Sequence, residues 1–208
     1  MFYKTYNTIE HKSTYEYEIK RSRFIGHAIP VSSVEEAQSF IQSIKTMHRD
    51  ARHNVYAYIV VDGENKYTKY SDDAEPQGTA GLPLLNCIEK KGLVNTVVVV
   101  TRYFGGILLG APGLLRAYTN TAVATLEQAG VKTRVLCKKV IIKADYRYIS
   151  PLMNLFSSNN LYPTSSEYAE QAVFTLIVEI DDIDKLSYNV RELTSDNAEV
   201  EIGEYEYK

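Results

Sequence analysis

Two arginines, Arg102 and Arg116, and three acids, Asp72, Asp73 and Glu75, stand in segments that also hold six of the chain's eleven glycines, and together they suit a phosphate. The stretch opens with S-D-D-A-E-P-Q-G-T-A-G-L-P at residues 71–83 and resumes with T-V-V-V-V-T-R-Y-F-G-G at residues 96–106. It closes on L-G-A-P-G-L-L-R-A-Y at residues 109–118. Charges of both signs and flexible glycines therefore meet where an apolar strand ends, a geometry that suits a ligand site.

Arg116 is the most informative of these residues. The spacing predicts a helix over about 113–129, which puts Arg116 in its first turn. The positive end of a helix macrodipole disfavours a cation there by roughly 0.3–1 kcal/mol, so an anionic partner is expected. One partner is a bound phosphate, shared with Arg102 and the free N–H groups near Gly113. The other is an internal ion pair with Asp72, Asp73 or Glu75. Gly105, Gly106, Gly110 and Gly113 match neither a dinucleotide fingerprint nor a Walker A loop, so they are a weak phosphate-loop signal, and a permissive strand-to-helix turn is the other reading. Tyr103 and Phe104 could stack on a base beside Arg102, with one of the two expected in the core.

Two further chemistries are open. Asp72, Asp73 and Glu75 could hold Mg²⁺ through oxygen ligands, or form a solvated turn. His53 could serve as a general base or be a structural histidine. His11, His27 and His48 belong to no constellation in the sequence. Cys87 and Cys137 lack partners at metal-ligand spacing and read as small buried hydrophobes. No Ser-His-Asp order, G-x-S-x-G elbow, H-E-x-x-H or reactive-cysteine signature is present. Neither a catalytic residue nor a metal or other cofactor is therefore assigned.

The elements that must position these side chains follow from periodicity. Residues 15–31 alternate as one or two strands. Ser33 and Glu36 have capping-box spacing, and Val34, Ala37, Ile41, Ile44 and Met47 form a helical stripe. A hairpin is expected from strands at 54–61 and 66–70 joined through Asp62-Gly63-Glu64-Asn65. A helix over 82–91 stops at Gly92, and residues 94–101 form a strand apolar on both faces, hence covered on both. The helix at 113–129 is rich in Ala and Thr and can lie close to the sheet. Beyond it come a strand at 134–144, a helix near 147–159, strands at 161–168 and 171–180, a helix at 182–194 and a strand at 198–206. In that helix Ile183, Leu186, Val190 and Leu193 share a face. The order βαββαβ is the split ferredoxin-like pattern. The fold class is thus α+β, in two domains at 1–132 and 133–208.

Composition agrees with a soluble globular chain, at 45% hydrophobic and 24% charged residues. The net charge of -3 is unevenly spread. Residues 1–132 carry 15 Lys and Arg against 13 Asp and Glu, a balance of +2, whereas residues 133–208 carry 8 against 13, a balance of -5. A polyanion would meet the first part and be repelled by much of the second. The N-terminal MFYKTYNTIEHK lacks a signal-peptide run, and runs such as VVVV at 97–100 are too short to cross a bilayer, so no membrane is expected and a cytoplasmic location is.

The block at 71–118, with R-H-N-V-Y-A-Y at 52–58, resembles the signature of the IMPACT/YigZ family in its two-domain bacterial and archaeal form. Arg102, Tyr103, Asp73, Glu75, Thr79, Arg116 and Tyr118 match it. Ala74 stands where the family usually has Gly, and Pro112-Gly113 where it has a Gly pair. The resemblance implies an N-terminal domain like the second domain of ribosomal protein S5. It also implies a ferredoxin-like C-terminal domain similar to domain V of elongation factor G. Its eukaryotic members regulate translation by competing for the activator of a kinase, using an extra N-terminal module that this sequence does not show.

The resulting expectation is a non-catalytic cytoplasmic protein that binds RNA, the ribosome or a translation factor and modulates translation. Its site would comprise Arg102, Tyr103, Gly105, Gly106, Gly113, Arg116, Tyr118 and Thr79, supported by Asp72, Asp73 and Glu75, with His53 auxiliary. The alternatives are a metal-assisted enzyme acting on a phosphorylated small molecule and a pure protein-interaction module.

Overall fold

A computed structural model describes residues 3–63 and 65–208, so Glu64 of the expected hairpin turn lies outside the described residues. The chain forms two compact units, Met1–Thr133 and Arg134–Lys208, in a mixed α+β architecture.

The first unit begins with β1 (Thr5–Ile9), a strand that its polar sequence does not announce. β2 (Ser13–Ile19) and β3 (Ser22–Pro30) form a hairpin whose turn holds Lys20 and Arg21 at positive φ. Helix α1 (Val34–Met47) is capped as its spacing predicts, Glu36 N–H donating to Ser33 Oγ at 3.1 Å. Its buried stripe is Ala37, Phe40, Ile41 and Ile44. Met47 is 64% exposed, contrary to the expected stripe: it is the last residue of the helix, and Phe40 packs against the sheet instead.

β4 (His53–Asp62) and β5 (Asn65–Ser71) pair up to Asp62 opposite Asn65. Then follow α2 (Gly81–Lys90), β6 (Thr96–Tyr103) and α3 (Gly110–Gln128). The sheet order is β2-β3-β6-β4-β5, with β6 antiparallel to both neighbours. Alternation along β6 sends Val98 and Val100 to the α2–α3 face and Val97 and Val99 to the α1 face. Both faces are covered, which explains the uninterrupted valines. α3 comes so close to β3 that a Cβ at Gly26 would collide with Thr125.

α3 begins at Gly110, three residues earlier than its composition suggests. Pro112 is the third residue of the helix, where its missing N–H leaves no intrahelical bond unmade. Arg116 therefore lies in the second turn, and the macrodipole argument for an anionic partner loses its basis.

The second unit is built from β7 (Val131–Ala144), α4 (Ile149–Ser158), β8 (Ser165–Tyr168), β9 (Ala172–Glu179), α5 (Ile183–Thr194) and β10 (Glu199–Tyr207). A turn of 3₁₀ helix at Tyr146–Tyr148 precedes α4. The strands run antiparallel in the order β10-β7-β9-β8. Its core gathers Val140, Ile142, Phe156, Phe174, Leu186 and Val190. On α5 it is Thr194 rather than Leu193 that is buried, its hydroxyl donating back to the Val190 carbonyl at 2.7 Å. That local bond removes the cost of burying the hydroxyl.

Candidate functional site

The register of the first sheet decides what lies at the end of β6. Arg102 is opposite Phe24 on one side and His53 on the other, and all three face α2 and α3. Above them crosses the loop at 72–80, which is held by its own acids. Asp72 accepts from the N–H groups of Gly78, Ala80 and Gly81, at 2.9, 3.1 and 2.8 Å, and so closes the N-terminus of α2. Asp73 accepts from Lys45 Nζ at 2.9 Å and from the Asn54 N–H at 2.7 Å.

Glu75 points inward, its side chain only 3% exposed. Its Oε1 accepts from Arg102 Nη1 at 2.8 Å and from the Tyr118 hydroxyl at 2.7 Å. His53 Nδ1 lies 2.9 Å from the Asp73 carbonyl, which can only accept, so Nδ1 carries the proton. Its Nε2 is then left 4.0 Å from Glu75 Oε1, beyond a hydrogen bond. Tyr118 is fully buried and meets Phe24 edge-on at 5.1 Å. Burial, followed by the Glu75 charge, raises its pKa, so the phenol remains a donor. The Arg102 guanidinium lies between the rings of Phe24 and Phe104, at 5.6 and 5.5 Å, and its Nε has no hydrogen-bond partner among the described residues.

This arrangement is an internal ionic lock, and it separates residues that the sequence groups together. Arg102, Glu75, Tyr118 and His53 converge. Arg116 does not join them: it is exposed, with no ion pair among the described residues, so of its two possible partners the internal pairing with Asp72, Asp73 or Glu75 is absent. Tyr103 follows Arg102 in the strand and so faces the opposite side, towards α1. There its hydroxyl lies 3.0 Å from His48 Nδ1. Neither Tyr103 nor Phe104 is a core residue, contrary to expectation, because the sheet ends there. Phe104 is exposed in the β6–α3 loop.

The remaining site residues have local duties. The Thr79 hydroxyl donates to the Pro76 carbonyl at 2.7 Å. Gly105 packs so tightly on the backbone of Arg21 that a Cβ would collide with it, and its N–H donates to Ser22 Oγ at 3.2 Å. Gly106 turns the chain at a φ of 85°. At Gly113 a Cβ would press on Leu109 at 3.0 Å. The acids are not a solvated turn, since each carboxylate is engaged by protein donors. Nor do the described residues contain a group of three His, Cys, Asp or Glu that could hold a metal.

On the α1 face stands a chain of bonds that the sequence does not announce. Thr14 Oγ1 lies 3.2 Å from His27 Nδ1, and His27 Nε2 lies 3.2 Å from His48 Nε2, which leads on to Tyr103. Burial, then the neighbouring His48 and Lys12, lower the His27 pKa to about 4. His27 and His48 thus do form a constellation, hidden because they sit on different elements. Also unforeseen is the Thr101 hydroxyl, which donates to Asn54 Oδ1 at 2.7 Å and fastens β6 to β4 beneath Asp73.

The family model for the Impact N-terminal domain matches residues 20–126, the sequence that builds this sheet end. The chain belongs to the IMPACT family. It is 39% identical to the IMPACT family member YvyE of Bacillus subtilis over 98% of this chain and 93% of that protein. Identity to the family member YigZ of Escherichia coli is 33%, over 73% of this chain and 74% of YigZ. Protein IMPACT of Rattus norvegicus is 36% identical across 50% of this chain and 33% of its own length. A crystal structure of a hypothetical protein superposes with a TM-score of 0.66 at 25% identity, covering 98% of each chain. No helix among the described residues is long and apolar enough to cross a membrane.

Proposed function

We propose that this IMPACT-family protein is a non-catalytic modulator of translation that acts in the cytoplasm by binding RNA or the translation machinery. The observation that carries the reading is the rim at the end of β6. There the Lys20–Arg21 turn backs directly onto the Phe104–Gly105 loop. Exposed cations and an exposed aromatic ring beside Arg102 thus share one edge, and Arg116 remains uncommitted to any acid among the described residues. Phosphates seek the cations and bases stack on rings, a combination that single-stranded nucleic acid uses. The buried Arg102–Glu75 pair is assigned to holding this rim, and the phosphate contact to Arg116.

Family membership supports translation as the process, since the resemblance implies that role for the eukaryotic members. The two compact units are proposed as separate domains. The first is assigned the fold of the second domain of ribosomal protein S5. For the second, the strand order β10-β7-β9-β8 supports a ferredoxin-like fold. The metal-assisted alternative fares worse, because Asp72, Asp73 and Glu75 spend their carboxylates on backbone N–H, Lys45 and Arg102.

Co-sedimentation with purified ribosomes and recovery of the native protein with and without nuclease test the proposal together. Binding that weakens steeply as salt rises from about 50 to about 200 mM is the expected result. Failure to bind ribosomes or RNA at the lower salt would refute it.

A further inference from the structure

Helices α2 and α3 leave a cavity of about 430 Å³ between them. Pro83 and Cys87 on α2 and Leu115 and Val123 on α3 supply its apolar lining. Burial pushes the Cys87 thiol upward, so it stays neutral and packs as an apolar group. Leu115, Thr119 and Val123 follow one another at intervals of four and make a single ridge along α3. Leu82, Asn86 and Lys90 make the matching ridge on α2. Two ridges flanking a groove are the seat into which a third helix packs.

The extent of the apolar surface decides between a small ligand and a helix. Leu115 is 45% exposed, and Leu82 is exposed too although it lies outside the cavity lining. A small molecule filling the cavity would leave Leu82 in water, whereas an extended apolar stripe would cover both leucines. Charge decides the kind of helix. Lys90 is exposed with no ion pair among the described residues, Lys91 meets Glu127 at 3.2 Å, and no acid lines the groove.

We propose that the α2–α3 groove docks an acidic amphipathic helix of a protein partner, its apolar side chains spaced i, i+4 and i+7. Each ridge runs from its first to its last residue in eight helical steps, so two to three turns of helix, about 12 Å, would be engaged. This surface uses none of the residues assigned to nucleic acid above and stands independently of that assignment.

The test is a display selection from a library of helices about 16 residues long, roughly four turns. Selection is against the full-length protein, with counter-selection against Leu115→Asp, an exposed position that tolerates charge. The expected survivors carry Leu, Ile or Phe at i, i+4 and i+7 and a net negative charge. A labelled survivor should lose at least roughly tenfold in affinity, about 1.4 kcal/mol, on Leu115→Asp and again on Lys90→Glu. Three results would overturn the proposal. One is no Leu115-dependent enrichment, and another is neutral or basic survivors. The third is a dimer in sedimentation that Leu115→Asp dissolves, since a second copy would then own the groove.

Discussion

Arg102 and Glu75 meet at 2.8 Å where water scarcely reaches either, at the end of the central strand of the first sheet. Phe24, Phe104, Tyr118 and His53 surround the pair. Removing one partner of such a pair leaves a buried charge uncompensated, which costs about 3–5 kcal/mol. Glu75→Gln is therefore expected to lower the unfolding free energy, read from urea titration, by an amount in that range. A loss below about 1 kcal/mol, as for exposed ion pairs, would show that the pair is solvated.

Tyr118 contributes to the same lock through one hydrogen bond to a charged acceptor. Tyr118→Phe keeps the ring against Phe24 and removes only the hydroxyl. The expected loss is about 1.5–3 kcal/mol, read from urea unfolding. An unchanged midpoint would mean that Arg102 alone satisfies Glu75.

The His27–His48 chain predicts a pH dependence of stability. Folding holds His27 neutral down to about pH 4, while the unfolded chain takes up the proton near its ordinary value of 6.5. The unfolded state thus binds more protons between these values, and stability rises with pH there. It should be complete above about pH 6.5 and fall as the pH drops towards 4. His48, lowered by burial and then by Arg23, acts in the same direction. Lys12 adds to the effect on His27, and Thr14 and Tyr103 end the chain. In urea titrations across this window, His27→Gln should flatten the slope. A slope unaffected by that change would contradict the assignment.

Ala74 holds a φ of 68° directly after Asp73 at 44°. An L side chain in this region is strained by about 1–2 kcal/mol, partly offset by the lower entropy of unfolded Ala. Ala74→Gly is therefore expected to raise the unfolding midpoint slightly or leave it level. A clear decrease would mean that the Ala74 methyl makes a contact that outweighs the strain.

Much of this arrangement was legible in the sequence, and the remainder was hidden for identifiable reasons. Four consecutive valines announced a strand covered on both faces, and Ser33 announced the start of α1. The Arg102 block was recognisable as a unit. Its inward direction was not, because three acids in a polar loop read as solvated, and the partner of Glu75 on α3 comes 43 residues later. The true start of α3 was masked by Gly-Ala-Pro-Gly, which reads as a turn until Pro112 is seen to need no N–H there. His27 and His48 lie 21 residues apart on a strand and a helix end, and only the packing of α1 on the sheet joins them. Tyr103 was grouped with Arg102 by adjacency, although strand alternation sends neighbours to opposite faces.

The division of labour between Arg102 and Arg116 is the central claim, and one paired measurement tests it most directly. Gel shifts of a single-stranded RNA are compared for the full-length protein and Arg116→Ala across a salt series, with urea unfolding of the same samples. Arg116→Ala should stay within about 0.5 kcal/mol of the parent in stability, as an exposed residue should. Its RNA affinity should fall roughly tenfold or more, with the salt slope reduced by about one. Equal RNA binding by the two proteins, or no RNA shift by the parent even at low salt, would contradict the account.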